Sequence, residues 1–236
     1  MAGVYKNMQD LTVIYLTANM ISEYFMNNMW KQLKDAAKDT EIITVSKASM
    51  LTGYKNIATL GNRSHVGIYR DALLGVKEAK TKYIAICEDD VLYSPEHFKH
   101  RPKNSGFFAY NVACWSIYTW SKPPIYSYSG RRNFGQLICE RDLFIEAFEE
   151  RFAKYPDESK IDNRVWAEPG KYESQLGVTP RDTEIFYSDP SNIMFTHPEG
   201  LSMNTLGMKK RLAPIRAWDI PYWGRADKIV KMYEKN

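Results

Sequence analysis

The apolar positions of the first ninety residues fall into two alternating rhythms. Leu11-Thr-Val-Ile-Tyr-Leu-Thr17 is a short, β-rich apolar run that predicts a buried strand. Ser22 then offers a helix cap and Glu23 an acid in the first turn. Phe25, Met29, Trp30, Leu33 and Ala37 follow at a 3.6-residue spacing, one face of a helix. Ile42–Val45 predicts a second strand, and the polar stretch 49–63, punctuated by Gly53 and Gly61, predicts a loop. Tyr69, Ala72, Leu73, Val76 and Ala79 mark a second amphipathic helix. Tyr83–Cys87 is a third apolar strand, and it runs straight into Glu88-Asp89-Asp90. This βαβαβ alternation implies a parallel sheet with right-handed crossovers.

The pattern then changes. Ser94-Pro95-Glu96 has the cap, proline and acid of a helix start. Residues 106–120 are aromatic and β-like. Arg141–Phe152 reads as a helix with Leu143, Phe144, Ala147, Phe148 and Phe152 inward. Ile185–Tyr187 and Ile193–Thr196 predict short strands, and Ala226–Tyr233 a terminal helix. With no repeat, low-complexity tract or linker, one α/β domain is expected, with a mostly parallel, Rossmann-like sheet flanked by helices.

Composition narrows the class. At 44% hydrophobic and 25% charged residues, the chain of 236 has the balance of a globular protein. No apolar run is long enough to span a bilayer, and residues 1–10 lack the apolar core of a secretion signal. Cys87, Cys114 and Cys139 show no CxxC spacing, so reduced thiols and a cytoplasmic setting are expected. The net charge of +4 is uneven: residues 208–236 carry +5 and the remainder −1. A basic end on a near-neutral body suits a polyanionic partner, or is simply a solvated surface.

The candidate chemistry lies where strands end. In open parallel sheets, ligands bind outside the carboxyl ends of the strands, where Glu88-Asp89-Asp90 falls. Such hard oxygen donors suit Mg²⁺ or Mn²⁺, which keep positions open for substrate phosphates. Acids also end strands merely because they are solvated. Thr17-Ala18-Asn19, at the end of the first strand, has neither GxGxxG nor GxxxxGK[ST], which argues against a dinucleotide dehydrogenase and a P-loop ATPase. Its small polar residues instead suit a nucleobase and ribose, with Arg63 at the end of the polar loop as a further donor-binding candidate. Aromatic residues cluster over 107–128, Trp115 and Tyr118 among them, and can stack on sugars or bases. Arg131 and Arg132 follow as candidate phosphate contacts.

Strand, helix, strand, loop, helix, strand and acid cluster together resemble the nucleotide half of a GT-A glycosyltransferase, with Glu88-Asp89-Asp90 in the place of its DxD motif. The resemblance implies a nucleotide half over about 10–98 and an acceptor half over about 104–207 within a domain 1–207, with 208–236 as a basic extension. It implies Mn²⁺ or Mg²⁺ held by Asp90, with Glu88 near the ribose and the metal's water shell. Asp89 stands in the variable middle position, and the first acid departs from the family's Asp. A late histidine as metal ligand is also implied, and His197, between the strand Ile193–Thr196 and the turn Pro198-Glu199-Gly200, fits. His65, His97 and His100 are weaker candidates. An inverting member needs a carboxylate base, for which Glu168 and Glu173 are the candidates, Glu168 being preferred at its Pro-Gly turn; a retaining one needs none.

Leu16-Thr-Ala-Asn19, Ile86-Cys-Glu-Asp-Asp90, Ala147–Phe152, Leu176–Thr179 and Ala217–Pro221 resemble segments of phage-encoded glycosyltransferases. That group implies transfer of a hexosyl or pentosyl unit from a nucleotide sugar, first among them a UDP-sugar, to a hydroxymethylated pyrimidine of DNA in the host cytoplasm. Lys209, Lys210 and Arg211 would then lie along the DNA backbone. The competing readings are a transferase acting on a surface glycan or small molecule, and a non-catalytic nucleic-acid-binding protein on the same scaffold.

Overall fold

Strand β1 (Leu11–Thr17) is buried along its whole length, as a run apolar on both faces requires. It lies near the middle of a seven-stranded sheet in a computed structural model that describes residues 10–50, 55–59, 63–128, 130–157, 160–162, 165–200 and 212–234. β2 (Glu41–Ser46) and β4 (Tyr83–Glu88) flank β1, both parallel to it. β3 (Lys55–Ala58) extends the sheet in parallel beyond β2. Beyond β4 come β9 (Leu137–Glu140), antiparallel to its neighbours, then β6 (Phe108–Asn111) and β10 (Thr183–Phe186), parallel to each other. The fold is a mixed α/β domain with a large, mostly parallel central sheet flanked by helices.

Alternation along β1 divides the core between the two faces of the sheet. Ile14 and Leu16 pack with Tyr69, Ala72 and Val76 of α2 (Gly67–Glu78) and with Phe144 and Phe148 of α3 (Arg141–Lys154). Leu11, Val13 and Tyr15 pack on the other face with Leu33, Ala36 and Ala37 of α1 (Glu23–Ala37). Burying each large side chain of this kind stabilises the fold by roughly 1.5–3 kcal/mol. Ser22 caps α1, its hydroxyl accepting the Phe25 N–H at 3.2 Å. At Gly75 of α2 a Cβ would meet the Ile14 and Val45 side chains at 2.7 and 2.8 Å, so glycine lets this helix lie close on the sheet.

A second sheet of five strands runs β12 (Arg216–Ala217), β8 (Tyr126–Tyr128), β7 (Cys114–Tyr118), β11 (Asn192–Thr196), β5 (Val91–Leu92). Phe25 and Met29 of α1 pack against its Leu92, Ile117, Ile193 and Phe195. Helix α1 therefore stands between the two sheets. Because β5 starts directly after the acid cluster, the Asp90 carbonyl accepts the Phe195 N–H at 2.8 Å and joins that cluster to β11. The antiparallel pair β13 (Asp219–Ile220) and β14 (Gly224–Arg225) leads into α4 (Ala226–Ile229) and a 3-10 turn, Val230–Met232. Val230 is buried against the cluster around Phe25.

Three expectations are corrected. The stretch 49–63 is not all loop, because Lys55–Ala58 forms edge strand β3. Main-chain pairing and the Asn56 side chain, which donates to Ser46 Oγ at 2.8 Å, hold this strand, and little apolar burial does. Ser94-Pro95-Glu96 opens only a 3-10 turn, His97–Lys99. Arg101 Nη1 takes the Phe98 carbonyl at 2.8 Å, and Pro102 has no N–H with which to continue a helix. The terminal helix is likewise one short turn of α-helix that tightens into the 3-10 turn. The three cysteines are buried and free. Among the described residues, no helix is long and apolar enough to cross a membrane.

Candidate active site

Strand β1 has β2 on one side and β4 on the other, so a crevice opens outside its carboxyl end, where doubly wound sheets bind ligands. Thr17 ends β1, and its hydroxyl donates to the Asp89 carboxylate at the end of β4. The same oxygen accepts the Asn19 N–H at 3.0 Å. Asn19 is in the left-handed conformation (φ 55°), and its Oδ1 accepts the Ala48 N–H at 2.9 Å. Thr17 and Asn19 thus tie the ends of β1, β2 and β4 together. Burial, reinforced by the neighbouring Asp90, pushes the Asp89 carboxyl up to about 6, against the opposing pull of Thr17, His197 and Arg63.

Asp90 faces the second sheet. Its Oδ2 lies 3.6 Å from His197 Nε2, and its Oδ1 is buried with no hydrogen-bond partner among the described residues. His197, the residue after β11, is 3% exposed. Its Nδ1 lies 3.0 Å from Glu199 Oε2, and the Tyr233 hydroxyl donates to that same oxygen at 2.9 Å. Burial disfavours the imidazolium, but Asp90, Glu199 and Asp89 together outweigh burial and hold this imidazole above its ordinary value.

These acids line a cleft of about 350 Å³, a size suited to a small ligand. Cations surround it. Lys47, one residue past β2, pairs with Asp71 at 2.7 Å, and Arg63 Nη2 donates to the Glu199 carbonyl at 2.6 Å. Arg131 is exposed at the rim, whereas Arg132 is held by Thr183 Oγ1 at 2.8 Å. Lys171 pairs with Glu168 at 2.9 Å. At Gly135, also near the cleft, a Cβ would lie 2.8 Å from Glu88 Oε2, so glycine makes room for that carboxylate.

Of the residues singled out in the sequence, Thr17, Ala18, Arg63, His65, Glu88, Asp89, Asp90, Arg131, Arg132, Glu168 and His197 line this one cleft. Asn19 is not in its wall and acts through Thr17 and Ala48. Glu173 is elsewhere: buried, with Oε1 bound to Arg151 Nη2 at 2.7 Å and to the Gly170 N–H at 2.6 Å. Trp115 packs edge-on against Tyr128, and Tyr118 edge-on against Trp120, away from the cleft wall. Lys209, Lys210 and Arg211 lie outside the described residues. Sequence reasoning missed Lys47, Asp71, Lys171 and Glu199. Only Lys47 carried a signal, since it directly follows a strand as Asp89 does.

Asp90 and His197 fit a divalent cation. They form an oxygen–nitrogen donor pair of the right chemistry, with a buried carboxylate oxygen left unpartnered beside an imidazole already oriented by a carboxylate. Among the described residues no group of three or more His, Cys, Asp or Glu side chains is placed to hold a metal ion, so the protein would supply two ligands here. A two-residue site is the open kind in which Mg²⁺ or Mn²⁺ retains water and takes substrate phosphate.

No family model matches the chain, and no curated protein does. Solved structures overlap with it in part. The bifunctional IspDF of Campylobacter jejuni is 10% identical, with a TM-score of 0.41, over 76% of this chain and 50% of that one. The glycosyltransferase GlyE of Streptococcus pneumoniae TIGR4 is 8% identical, with a TM-score of 0.47, over 75% and 45% respectively. A glycosyltransferase involved in glycosylation of the major capsid of PBCV-1 is 9% identical, with a TM-score of 0.44, over 78% and 92%. The chain thus spans half or less of the first two proteins. With every TM-score below 0.5, the functional reading rests on the site's own residues.

Proposed function

We propose that this chain is a metal-dependent glycosyltransferase of the GT-A type. It takes a nucleotide-sugar donor, with a UDP-sugar as the first choice, and transfers the hexosyl or pentosyl unit to the hydroxymethyl group of a modified pyrimidine in DNA. The observation that carries the transferase reading is the Asp90–His197 donor pair, with its unpartnered buried Oδ1, in a cation-lined cleft at the end of β1 and β4. A bound Mn²⁺ or Mg²⁺ supplies Lewis-acid stabilisation of the departing diphosphate.

The chain's own residues do the rest. Asp90 and His197 would hold the cation, and Glu88, whose carboxylate lies against Gly135, would face the donor. Arg63 and Lys47 add positive charge where the donor's phosphates and ribose sit. In an inverting reaction Glu168, oriented by Lys171, takes the proton of the acceptor hydroxyl as that oxygen bonds to the anomeric carbon. The bond from that carbon to the diphosphate oxygen breaks, and its electron pair leaves with the diphosphate.

The DNA acceptor is supported by the resemblance to phage-encoded transferases, by the +5 charge of residues 208–236 and by the exposed Arg131 at the cleft rim. Cationic contacts to phosphate release counterions and give salt-dependent affinity. The test is a mass-spectrometric screen of common sugar nucleotides against hydroxymethylated and plain DNA. A gain of one sugar mass on hydroxymethylated DNA alone supports the acceptor. A gain only on a glycan or small molecule keeps the transferase and removes the DNA. Binding to DNA with no turnover of any sugar nucleotide leaves a non-catalytic binding protein.

A further inference from the structure

His197 stands between two carboxylates that it meets differently. The 3.0 Å contact between Nδ1 and Glu199 Oε2 is a hydrogen bond, whereas the 3.6 Å from Nε2 to Asp90 Oδ2 is too long for one. In the neutral ring the proton therefore sits on Nδ1, and Nε2 turns its lone pair toward Asp90. The Glu199 side chain is 39% exposed, and a carboxylate that free would swing unless something held it. Tyr233 holds it, by a 2.9 Å hydrogen bond to the same Oε2. A phenol is protonated at neutral pH and a carboxylate is not, so Tyr233 is the donor in this bond.

Tyr233 is itself anchored. Its ring packs edge-on against Phe25 with centroids 5.1 Å apart, and Phe25 also packs edge-on against His197 at 5.9 Å. Two side chains of α1 bind the main chain beside it: the Tyr24 hydroxyl donates to the Lys231 carbonyl at 3.2 Å and Asn28 Nδ2 to the Met232 carbonyl at 2.9 Å. The C-terminal turn is thus fastened to α1 at three consecutive residues, and the last of them reaches the imidazole through Glu199.

We infer that Glu199 and Tyr233 are positioning residues for the metal ligand His197, so that the docked C-terminal turn is part of the metal site. The inference rests on the metal-dependent reading of Asp90 and His197. Partners of this kind fix the tautomer and ring orientation of a ligating histidine, and losing one typically weakens metal affinity by about 10–100-fold.

The experiment titrates Mn²⁺ alone into the full chain and follows free Mn²⁺ by electron paramagnetic resonance, with no turnover required. Glu199→Ala weakens binding by about 10–100-fold. Tyr233→Phe, which keeps the ring packing and removes only the hydroxyl, weakens it in the same direction with an unchanged melting temperature. Glu199→Gln keeps an acceptor oxygen for Nδ1–H and recovers most of the affinity. Wild-type Mn²⁺ affinity in both Glu199→Ala and Tyr233→Phe overturns the inference and leaves the metal reading standing. Absence of Mn²⁺ binding by the wild-type chain overturns both.

Discussion

Glu173 and Arg151 form a buried ion pair 2.7 Å apart beneath the loop that carries Glu168. Arg151 Nη1 also donates to the Ala167 carbonyl at 2.5 Å, and Glu173 Oε1 accepts the Gly170 N–H, so the pair grips that loop on both sides of Glu168. Glu173 is thereby committed to structure. Glu173→Ala strands a buried guanidinium and should destabilise the fold by roughly 3–5 kcal/mol. Urea unfolding measures this. A variant as stable as wild type but slow in transfer would return Glu173 to the list of bases.

Glu168 should behave in the opposite way. It lines the cleft and is held by Lys171 on one turn of the same loop. If the enzyme inverts, Glu168→Gln slows transfer by roughly 10²–10⁴-fold, the usual contribution of a positioned base. Donor affinity and melting temperature stay near wild type. A rate within a factor of a few of wild type, with the retained anomer as product, would remove the base.

How far the sequence speaks differs from residue to residue for physical reasons. β1 and β4 are legible because both faces of each are buried, which leaves continuous apolar runs, and the acids at the end of β4 follow from where such a run stops. His197 is legible as the residue after β11. β3 is not legible, because an edge strand held by main-chain pairing needs no apolar pattern. Glu168 and Glu173 sit five positions apart in similar surroundings, and only the turn of the chain sends one into the cleft and the other to Arg151. The Lys47–Asp71 pair joins residues 24 positions apart and leaves no local spacing to detect. The segment Ser94–Arg101 shows a good local helix start losing to Arg101, which captures the Phe98 carbonyl ahead of Pro102.

His97 gives the fold a pH dependence separate from the site. It is fully buried, and its Nδ1 lies 3.1 and 3.3 Å from the side-chain amide nitrogens of Asn111 and Asn192. Burial, with a smaller contribution from His100, lowers its imidazole from 6.5 to about 3. The folded state therefore holds His97 neutral while the unfolded chain takes up a proton. This contribution to stability is complete above pH 6.5 and is lost as the pH falls toward 3, at up to about 1.4 kcal/mol per pH unit. His100, also lowered by burial, acts in the same direction. Asp89 and His197, both raised in the folded state, act in the opposite direction, so the contrast between proteins is the test: from pH 7 to 5 the urea midpoint of the wild type should fall relative to that of His97→Gln. Equal slopes in the two proteins would show that His97 does not titrate on unfolding.

The most direct test of the central claim is sugar-nucleotide turnover by wild-type and Asp90→Ala protein, with excess EDTA and after restoring Mn²⁺. Lewis-acid stabilisation of a leaving diphosphate contributes several kcal/mol, so its loss should lower the rate by at least about 10²-fold. The account predicts that EDTA abolishes wild-type turnover, that Mn²⁺ restores it, and that Asp90→Ala stays folded but inactive under both conditions. Full turnover in excess EDTA, or wild-type turnover by Asp90→Ala, would contradict it.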